Sequence, residues 1–513
     1  MRKVRTRYAP SPTGPQHIGG LRTALYCYLF AHKHQGDFIL RIEDTDQTRF
    51  VEGAEQYLIK ALEWAGIMPN EGQGIGGPHA PYKQSQRSEI YKKYAQELLD
   101  KGHAYIAFDT DEELESWREK MKGQGIPSPQ YNNVTRQYMK NSLSLSEDDV
   151  KRKLEEKTPY VIRFKTPRNE DIKFQDDIRG WITVNSNQID DKVLMKSDGL
   201  PTYHLANVVD DYLMEISHVI RGEEWLPSAP LHILLYRAFG WDDIKPNFAH
   251  LPLILKPDGN GKLSKRDGDR LGFPSFPLNW KDPITGETSG GFKEKGFIPE
   301  AVINFLAFVG WNPGTDQEIF SKEELIEVFS MQRVSKAGAR FDFEKAKWFN
   351  QQYLKKLSDE DILVLIQPII NEKGWNAEKE FLLKVIKLIR ERAVFANEIP
   401  ELSYYFFEEI REYDMVTIQK KWKAEKKNAF EELKQLIHNI ESYNHNNIET
   451  VVKEFLVSNQ IGMGEVVPIL RIALCGNLQG PPIYEVMETM GKEKVVSRLE
   501  KGFLHFDQLK QNS

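Results

Sequence analysis

The chain has 513 residues, 40% hydrophobic and 28% charged, enough for several domains and ordinary for a soluble globular protein. Its net charge of −6 argues against a uniformly basic nucleic-acid binder, though not against one with a basic face. Two cysteines, Cys27 and Cys475, exclude a disulfide framework and a four-cysteine zinc site, and no run nears the roughly 20 apolar residues of a membrane span. The start, MRKVRTRYAPSPTG, lacks the apolar segment of a secretory signal, so the expected location is the reducing cytoplasm, away from membranes.

Residues 3–9, KVRTRYA, alternate as a strand does. PTGPQHIGGLRTALY at 12–26 then passes from a Pro- and Gly-rich loop around His17 into a helix whose Leu21, Leu25, Leu29 and Phe30 mark one face. Gly36 stands where a helix-terminating glycine belongs. A short apolar strand, DFILRIED, is followed by the helix GAEQYLIKALEWAG, closed by Gly66. This order predicts a parallel βαβα arrangement, with the His17 loop at the carboxyl end of the first strand, where such folds bind ligands.

GQGIGG, within the loop 72–82, spells a dinucleotide-binding fingerprint but does not lie between a strand and an apolar helix, so it is discarded. The helix SEIYKKYAQELLDKG follows. Between about 104 and 190 a charged helix, DEELESWREKMKG, and strands such as YVIRFKT and IKFQDDIRGWITV read as an α+β insertion. Residues 203–255 resume the parallel pattern with EISHVIRG, SAPLHILLYRAFG and HLPLILK. GFPSFPLNWKDPITGETSGGF at 272–292 reads either as a segment that orders the loop just before it or contacts a partner, or equally as a passive surface excursion. From about 341 onward the periodicity is helical, as in DEDILVLIQPIINEKG and NIETVVKEFLVSNQIG. The expected fold is an α/β Rossmann-like catalytic domain with an α+β insertion, followed by a mainly α-helical region. Its segments are 1–103 and 191–271 for the two catalytic halves, 104–190 for the insertion, 272–340 for a second insertion and connecting region, and 341–513 for the helices.

The second chemical feature is GNGKLSKRDG at 259–268, where Lys262, Lys265 and Arg266 lie on a glycine-flanked loop. A mobile cationic loop suits a polyphosphate whose charge shifts during reaction and whose product must leave. HIGG at 17–20 and KLSKR at 262–266 resemble the HIGH and KMSKS signatures of class I aminoacyl-tRNA synthetases. RYAPSPTG, LRIEDTDQTR, PTYHLANVVDD and VIRGEEWLPS are similar, more specifically, to the glutamyl-tRNA synthetases of bacterial type, and the resemblance runs over nearly the whole chain.

The resemblance implies ATP as substrate, accompanied by Mg²⁺, at His17, Gly19, Gly20, Glu224, Ile254 and Lys265, with His17, Lys262 and Lys265 as catalytic groups. It implies L-glutamate at Arg7, Ser11, Glu43, Tyr203, Asn207 and Arg221. Glu43 would meet the α-ammonium, and Arg7, Tyr203, Asn207 and Arg221 the carboxylates. Arg221 is the discriminating residue, since it pairs with a γ-carboxylate and would face glutamine's neutral amide as an unpaired buried charge. Asp46, Arg49 and Trp225 are candidates for the end of tRNA(Glu), although Trp225 reads equally as core packing, and Arg392 for its anticodon. KKWKAEKK at 420–427 reads as a solvated helix face.

One departure from the signature is Gly20, where the second histidine of HIGH would stand. No protein metal site is expected, and zinc, which some relatives hold through cysteines in the inserted domain, is not expected in a 101–190 stretch without cysteine. The reading is a glutamate–tRNA ligase acting as a monomer. The alternatives are a glutaminyl-tRNA synthetase, whose anticodon part is of β-barrels, and a glutamyl transferase acting on a modified tRNA base, which lacks the anticodon part.

Overall fold

The computed structural model describes residues 2–511. The chain forms two compact units, Met1–Lys295 with Pro299–Ala346, and Gly296–Ile298 with Lys347–Ser513. The first begins with strand β1 (Arg5–Tyr8), helix α1 (Ile18–Lys33), β2 (Asp37–Leu40), α2 (Ala54–Trp64), β3 (Glu71–Gly72) and α3 (Ser88–Asp100). There follow β4 (Ala104–Ala107), α4 (Asp111–Gly123), α5 (Glu147–Glu155), β5 (Val161–Phe164), β6 (Asp171–Asp176), β7 (Gly180–Asn185) and β8 (Val193–Met195). Next come α6 (Tyr203–Leu213), β9 (His218–Gly222), α7 (Ala229–Phe239), β10 (Asn247–Leu251), β11 (Ile254–Leu255) and α8 (Lys265–Leu271).

Seven strands form the main sheet in the order β3-β2-β1-β9-β10-β6-β7. All pairs are parallel except β6 with β7. β4, β5 and β8 form a separate antiparallel sheet. The expected 104–190 insertion therefore changes on two counts. IKFQDDIRGWITV extends the main sheet: Ile172 and Phe174 of β6 turn into its core, and Phe174 meets Phe248 of β10 edge to face. β8, beyond 190, closes the inserted sheet instead. Alternating apolar residues mark a strand with one buried face, but they do not say which sheet receives it.

α1 starts where its capping chemistry dictates, at His17, whose ring accepts the Gly19 N–H. Leu21, Leu25 and Leu29 are buried as expected, but so are Ala24, Tyr26 and Cys27 on other faces, and Phe30 is only half-buried. After the helix, Gly36 admits the backbone of β1: a Cβ there would lie 2.1 Å from the Val4 carbonyl oxygen.

The segment 272–292 is no passive excursion. Its Phe276, Leu278 and Trp280 form a buried cluster with Ala54, Tyr57 and Ala61 of α2. The Tyr57 hydroxyl donates to the Leu278 carbonyl at 2.6 Å, and the Ser275 carbonyl accepts the Ile18 N–H at 3.0 Å. This segment thus braces the start of α1, beside His17.

In the second unit the described residues form helices and no strand, among them Asp359–Glu372, Lys379–Ile389, Lys427–His438, His445–Ser458, Met463–Cys475 and Lys492–Gln511. Trp422, at the centre of the lysine run, is core: it stacks on Phe503, packs on Phe430 and donates to Asp507 at 3.0 Å. Among the described residues no helix is long and apolar enough to cross a membrane.

Trp280→Ala should cost the first unit about 3–5 kcal/mol, read as a lower denaturant midpoint. An unchanged midpoint would mean that the 272–292 segment contributes no stability.

Candidate active site

The carboxyl ends of the central strands open into a cavity of about 580 Å³, the place where parallel α/β sheets bind ligands. β1 and the loop after it bring Arg7, Ser11 and His17, and the first turn of α1 brings Gly19 and Gly20. Glu43 follows β2, α6 presents Tyr203 and Asn207, and β9 with its continuation supplies Arg221, Glu224 and Trp225. Ile254, Lys262 and Arg49 complete the expected residues on the wall. Three expected residues are not on it. Asp46 pairs with Arg49 at the surface, Lys265 faces Glu287, and Arg392 is an exposed residue of the second unit.

The floor is a buried charge network. Asp211 Oδ1 accepts from Arg7 Nε at 3.0 Å and from Arg41 Nη1 at 2.8 Å, and Oδ2 accepts from Arg7 Nη2 at 3.3 Å. Its neighbour Asp210 accepts from Arg87 at 2.8 Å, Gln84 at 2.9 Å and the Tyr91 hydroxyl at 2.8 Å. Glu43 Oε1 receives Arg41 Nη2 at 2.9 Å and Asn207 Nδ2 at 2.8 Å. Burial raises the pKa of Glu43, against the pull of Arg41 and Arg7. For Asp211 burial also raises, but Arg7 and Arg41 outweigh it and the carboxyl stays below its ordinary range. With Nδ2 committed to Glu43, the buried Asn207 Oδ1 has no partner among the described residues. The free atom of this side chain is an acceptor, which suits an ammonium rather than the carboxylate expected from the sequence.

Arg221 differs from the arginines of this network. Nε donates to His250 Nε2 at 3.0 Å, Nη1 to the Tyr203 hydroxyl at 2.5 Å and Nη2 to the Trp225 carbonyl at 3.3 Å. Every one of these partners is neutral, and burial lowers the pKa of Arg221. Four guanidiniums (Arg7, Arg41, Arg87, Arg221) stand around three carboxylates (Glu43, Asp210, Asp211), and Arg221 is the one without a carboxylate in contact among the described residues. A buried cation in that state can receive an anion, as can Arg22 on the same wall, which donates only to the Val309 and Pro252 carbonyls. Trp225 is no core residue: it is 43% exposed, with its ring 4.6 Å from that of Tyr203.

At the other end of the cavity, His17 Nδ1 accepts the Gly19 N–H at 3.2 Å. Burial, and then the nearby Lys262, push the His17 pKa down to about 4, so the ring is neutral with its proton on Nε2. That buried donor has no partner among the described residues and fits a phosphate oxygen. Gly20 has a steric reason to lack a side chain, because a Cβ would lie 2.6 Å from the Tyr8 hydroxyl.

The expected mobile loop is partly helical. Ser264 caps α8 in a reciprocal pair with Asp267, so Lys265 and Arg266 occupy its first turn. The S-x-x-D spacing at 264–267 is a legible sign of that turn. Lys262 Nζ lies 2.8 Å from Glu224, and Lys265 Nζ 3.0 Å from Glu287.

Asp210, Asp211 and Arg41 lie within motifs quoted for the family, yet nothing in their spelling discloses the network. His250 and Asp176 carry no local signal. Among the described residues no group of three or more His, Cys, Asp or Glu side chains could hold a metal ion.

The cavity at the carboxyl ends of a parallel α/β sheet sets a neutral histidine with an unpartnered buried N–H at one end and a buried arginine with neutral partners at the other, the layout of a class I synthetase. Residues 3–348 match the family of class I tRNA synthetases (E and Q), catalytic domain, and residues 349–503 an anticodon binding domain. The chain belongs to that class I family. It is 54% identical over 501 residues to a glutamate–tRNA ligase of Flavobacterium johnsoniae, covering 98% of this chain and 99% of the other. A glutamate–tRNA ligase of Cytophaga hutchinsonii is 53% identical over 500 residues, 97% of each chain. The crystal structure of a glutamate tRNA ligase from Elizabethkingia meningosepticum, in complex with its amino acid, superposes with a TM-score of 0.95 at 50% identity, over 98% of this chain and 99% of that one.

Asp211→Asn removes the charge shared by Arg7 and Arg41. The expected loss is about 3–5 kcal/mol in equilibrium unfolding, together with weakened glutamate binding. A loss below about 1 kcal/mol would show that water or other groups already neutralise the pair.

Proposed function

We infer that the chain is a glutamate–tRNA ligase, which joins L-glutamate to AMP with ATP and passes the glutamyl group to the 3′ end of tRNA(Glu). The observation that carries the amino-acid assignment is Arg221, buried with neutral partners only. The γ-carboxylate takes the Nη edge of Arg221 and the Tyr203 hydroxyl, which burial keeps protonated with its pKa raised to about 12. The α-ammonium lies against Glu43 and Asn207 Oδ1. Ser11 and Arg7 face the α-carboxylate.

That carboxylate is the nucleophile. One of its oxygens forms a bond to the α-phosphorus of ATP as the bond to the pyrophosphate oxygen breaks. Next, a hydroxyl of the tRNA terminal ribose attacks the mixed-anhydride carbonyl and AMP leaves. No protein nucleophile enters either step, so catalysis rests on positioning and charge. His17 Nε2–H, Lys262 and Lys265 hold the phosphates, Gly19 and Gly20 leave room for the nucleotide, Glu224 orients Lys262, and Ile254 lies by the adenine.

Lys265 reaches pyrophosphate by leaving Glu287, and an exposed ion pair of this kind costs only about 0–1 kcal/mol to break. Mg²⁺ bound to the ATP phosphates would help neutralise their charge, with His17, Lys262 and Lys265 meeting the phosphates from the protein side. No zinc is needed, since the insertion has no cysteine to bind it. Asp46, Arg49 and Trp225 contact the tRNA end, and Arg392 the anticodon. The chain works as a cytoplasmic monomer. The helical second unit, with no strand among its described residues, favours this reading over the glutaminyl type.

Unfractionated tRNA offered with labelled glutamate or labelled glutamine should be charged with glutamate only. Lys265→Ala should lower the rate by about 10²–10³. Charging with glutamine would overturn the Arg221 assignment, and failure of the folded protein to charge either would overturn the function.

A further inference from the structure

Three adjacent strands of the main sheet carry a line of polar side chains from the cavity into the core. Arg221 on β9 lies in register with His250 on β10, and Asp176 ends β6 on the far side of β10. All three are buried: Arg221 is 6% exposed, Asp176 1% and His250 0%. Asp176 Oδ2 lies 2.6 Å from His250 Nδ1, and Arg221 Nε 3.0 Å from His250 Nε2.

The chemistry of the ends decides the middle. Asp176 stays ionised: burial opposes it, but hydrogen bonds from His250 and from the backbone N–H groups of Arg179 and Ile178 hold its pKa below the carboxylate range. A carboxylate only accepts, so Nδ1 carries the ring proton. Arg221 Nε–H can only donate, so Nε2 is the acceptor and the ring is neutral; burial, with Arg221 and Arg179, lowers the His250 pKa against the opposing pull of Asp176. Arg221 Nε–H is the donor that meets it. The lateral edge of the guanidinium is thereby fixed, and Nη1 and Nη2 point at the Tyr203 hydroxyl and the Trp225 carbonyl.

We propose that Asp176 and His250 are positioning residues for substrate selection: Asp176 fixes the His250 tautomer, and His250 holds Arg221 by its Nε edge so that its Nη edge meets the γ-carboxylate. This rests on the reading of Arg221 as the γ-carboxylate receptor. The device orients a buried guanidinium without giving it a counter-ion. A carboxylate in place of His250 would neutralise Arg221 and compete with the substrate.

Asp176→Asn tests the proposal with little steric change. The amide can keep its oxygen on the N–H groups of Ile178 and Arg179 while its NH₂ faces Nδ1. Nδ1 must then accept, and the ring proton moves to Nε2, against the Arg221 N–H. In aminoacylation the KM for glutamate should rise about tenfold, with kcat changing much less and the KM for ATP unchanged. ¹⁵N shifts of labelled His250 should show protonation moving from Nδ1 to Nε2. His250→Leu should match this loss, and His250→Gln, which retains an acceptor, should recover part of it.

Arg221→Lys run in parallel separates the two claims. If it raises the KM for glutamate while Asp176→Asn and His250→Leu leave it within about twofold, the positioning role is wrong. Equal changes in the KM values for ATP and glutamate would also overturn it, as the effect of general disruption. If Arg221→Lys itself leaves the KM for glutamate unchanged, the reading of Arg221 fails and the proposal with it.

Discussion

Two successive aspartates on one helix hold the first unit's active-site end together. Asp210 and Asp211 sit side by side on α6 and neutralise guanidiniums from β1, from the segment after β2 and from the turn before α3. An unpaired charge at these depths is costly, so the conformations that bury Arg7, Arg41 and Arg87 are those that deliver them to this helix. The same docking brings Tyr203 and Asn207, on the same helix, to the carboxyl ends of the strands. Fold and binding site are settled by one set of contacts.

That network leaves Arg221 without a carboxylate, and on the proposed reading the substrate supplies it. Glutamate carries one positive and two negative charges, and in the proposed mode Glu43 with the free Asn207 oxygen meets the first and Arg221 the side-chain carboxylate. The phosphate end works by the opposite principle. Lys262 and Lys265 rest on Glu224 and Glu287 in exposed pairs that water and salt screen, so either cation could leave its partner for the proposed phosphates at little cost. Buried pairs fix the selective end, and exposed pairs free the reacting end.

Much of this was legible in the sequence because class I chemistry needs particular residues at the ends of particular strands. The Gly-rich turn around His17 and the helical periodicity after 341 are local signals that fall where they were expected, whereas the basic segment at 262–266 places Lys262 on the cavity wall but carries Lys265 into the first turn of a helix. The misassigned hairpin at 171–185 was not legible, because the choice between two sheets depends on where β10 lies. The hydrogen bond that commits Asn207 Nδ2 is equally non-local, since Glu43 stands 164 positions away. Asp176 and His250 are 74 residues apart and become neighbours only through strand order. By contrast the capping pair at 264–267 is a local signal and was readable from its spacing alone.

The central claim is that the cavity holds glutamate by its charges, with the side-chain carboxylate on Arg221 and the ammonium on Glu43. The most direct measurement is the crystal structure of the protein with L-glutamate bound. The account predicts the γ-carboxylate within hydrogen-bonding distance of the Arg221 Nη atoms and the Tyr203 hydroxyl, and the ammonium on Glu43 and Asn207 Oδ1, with the Asp211–Arg7–Arg41 contacts undisturbed. Glutamate bound in the reverse sense, or bound by displacing Asp211 from Arg7, would contradict it.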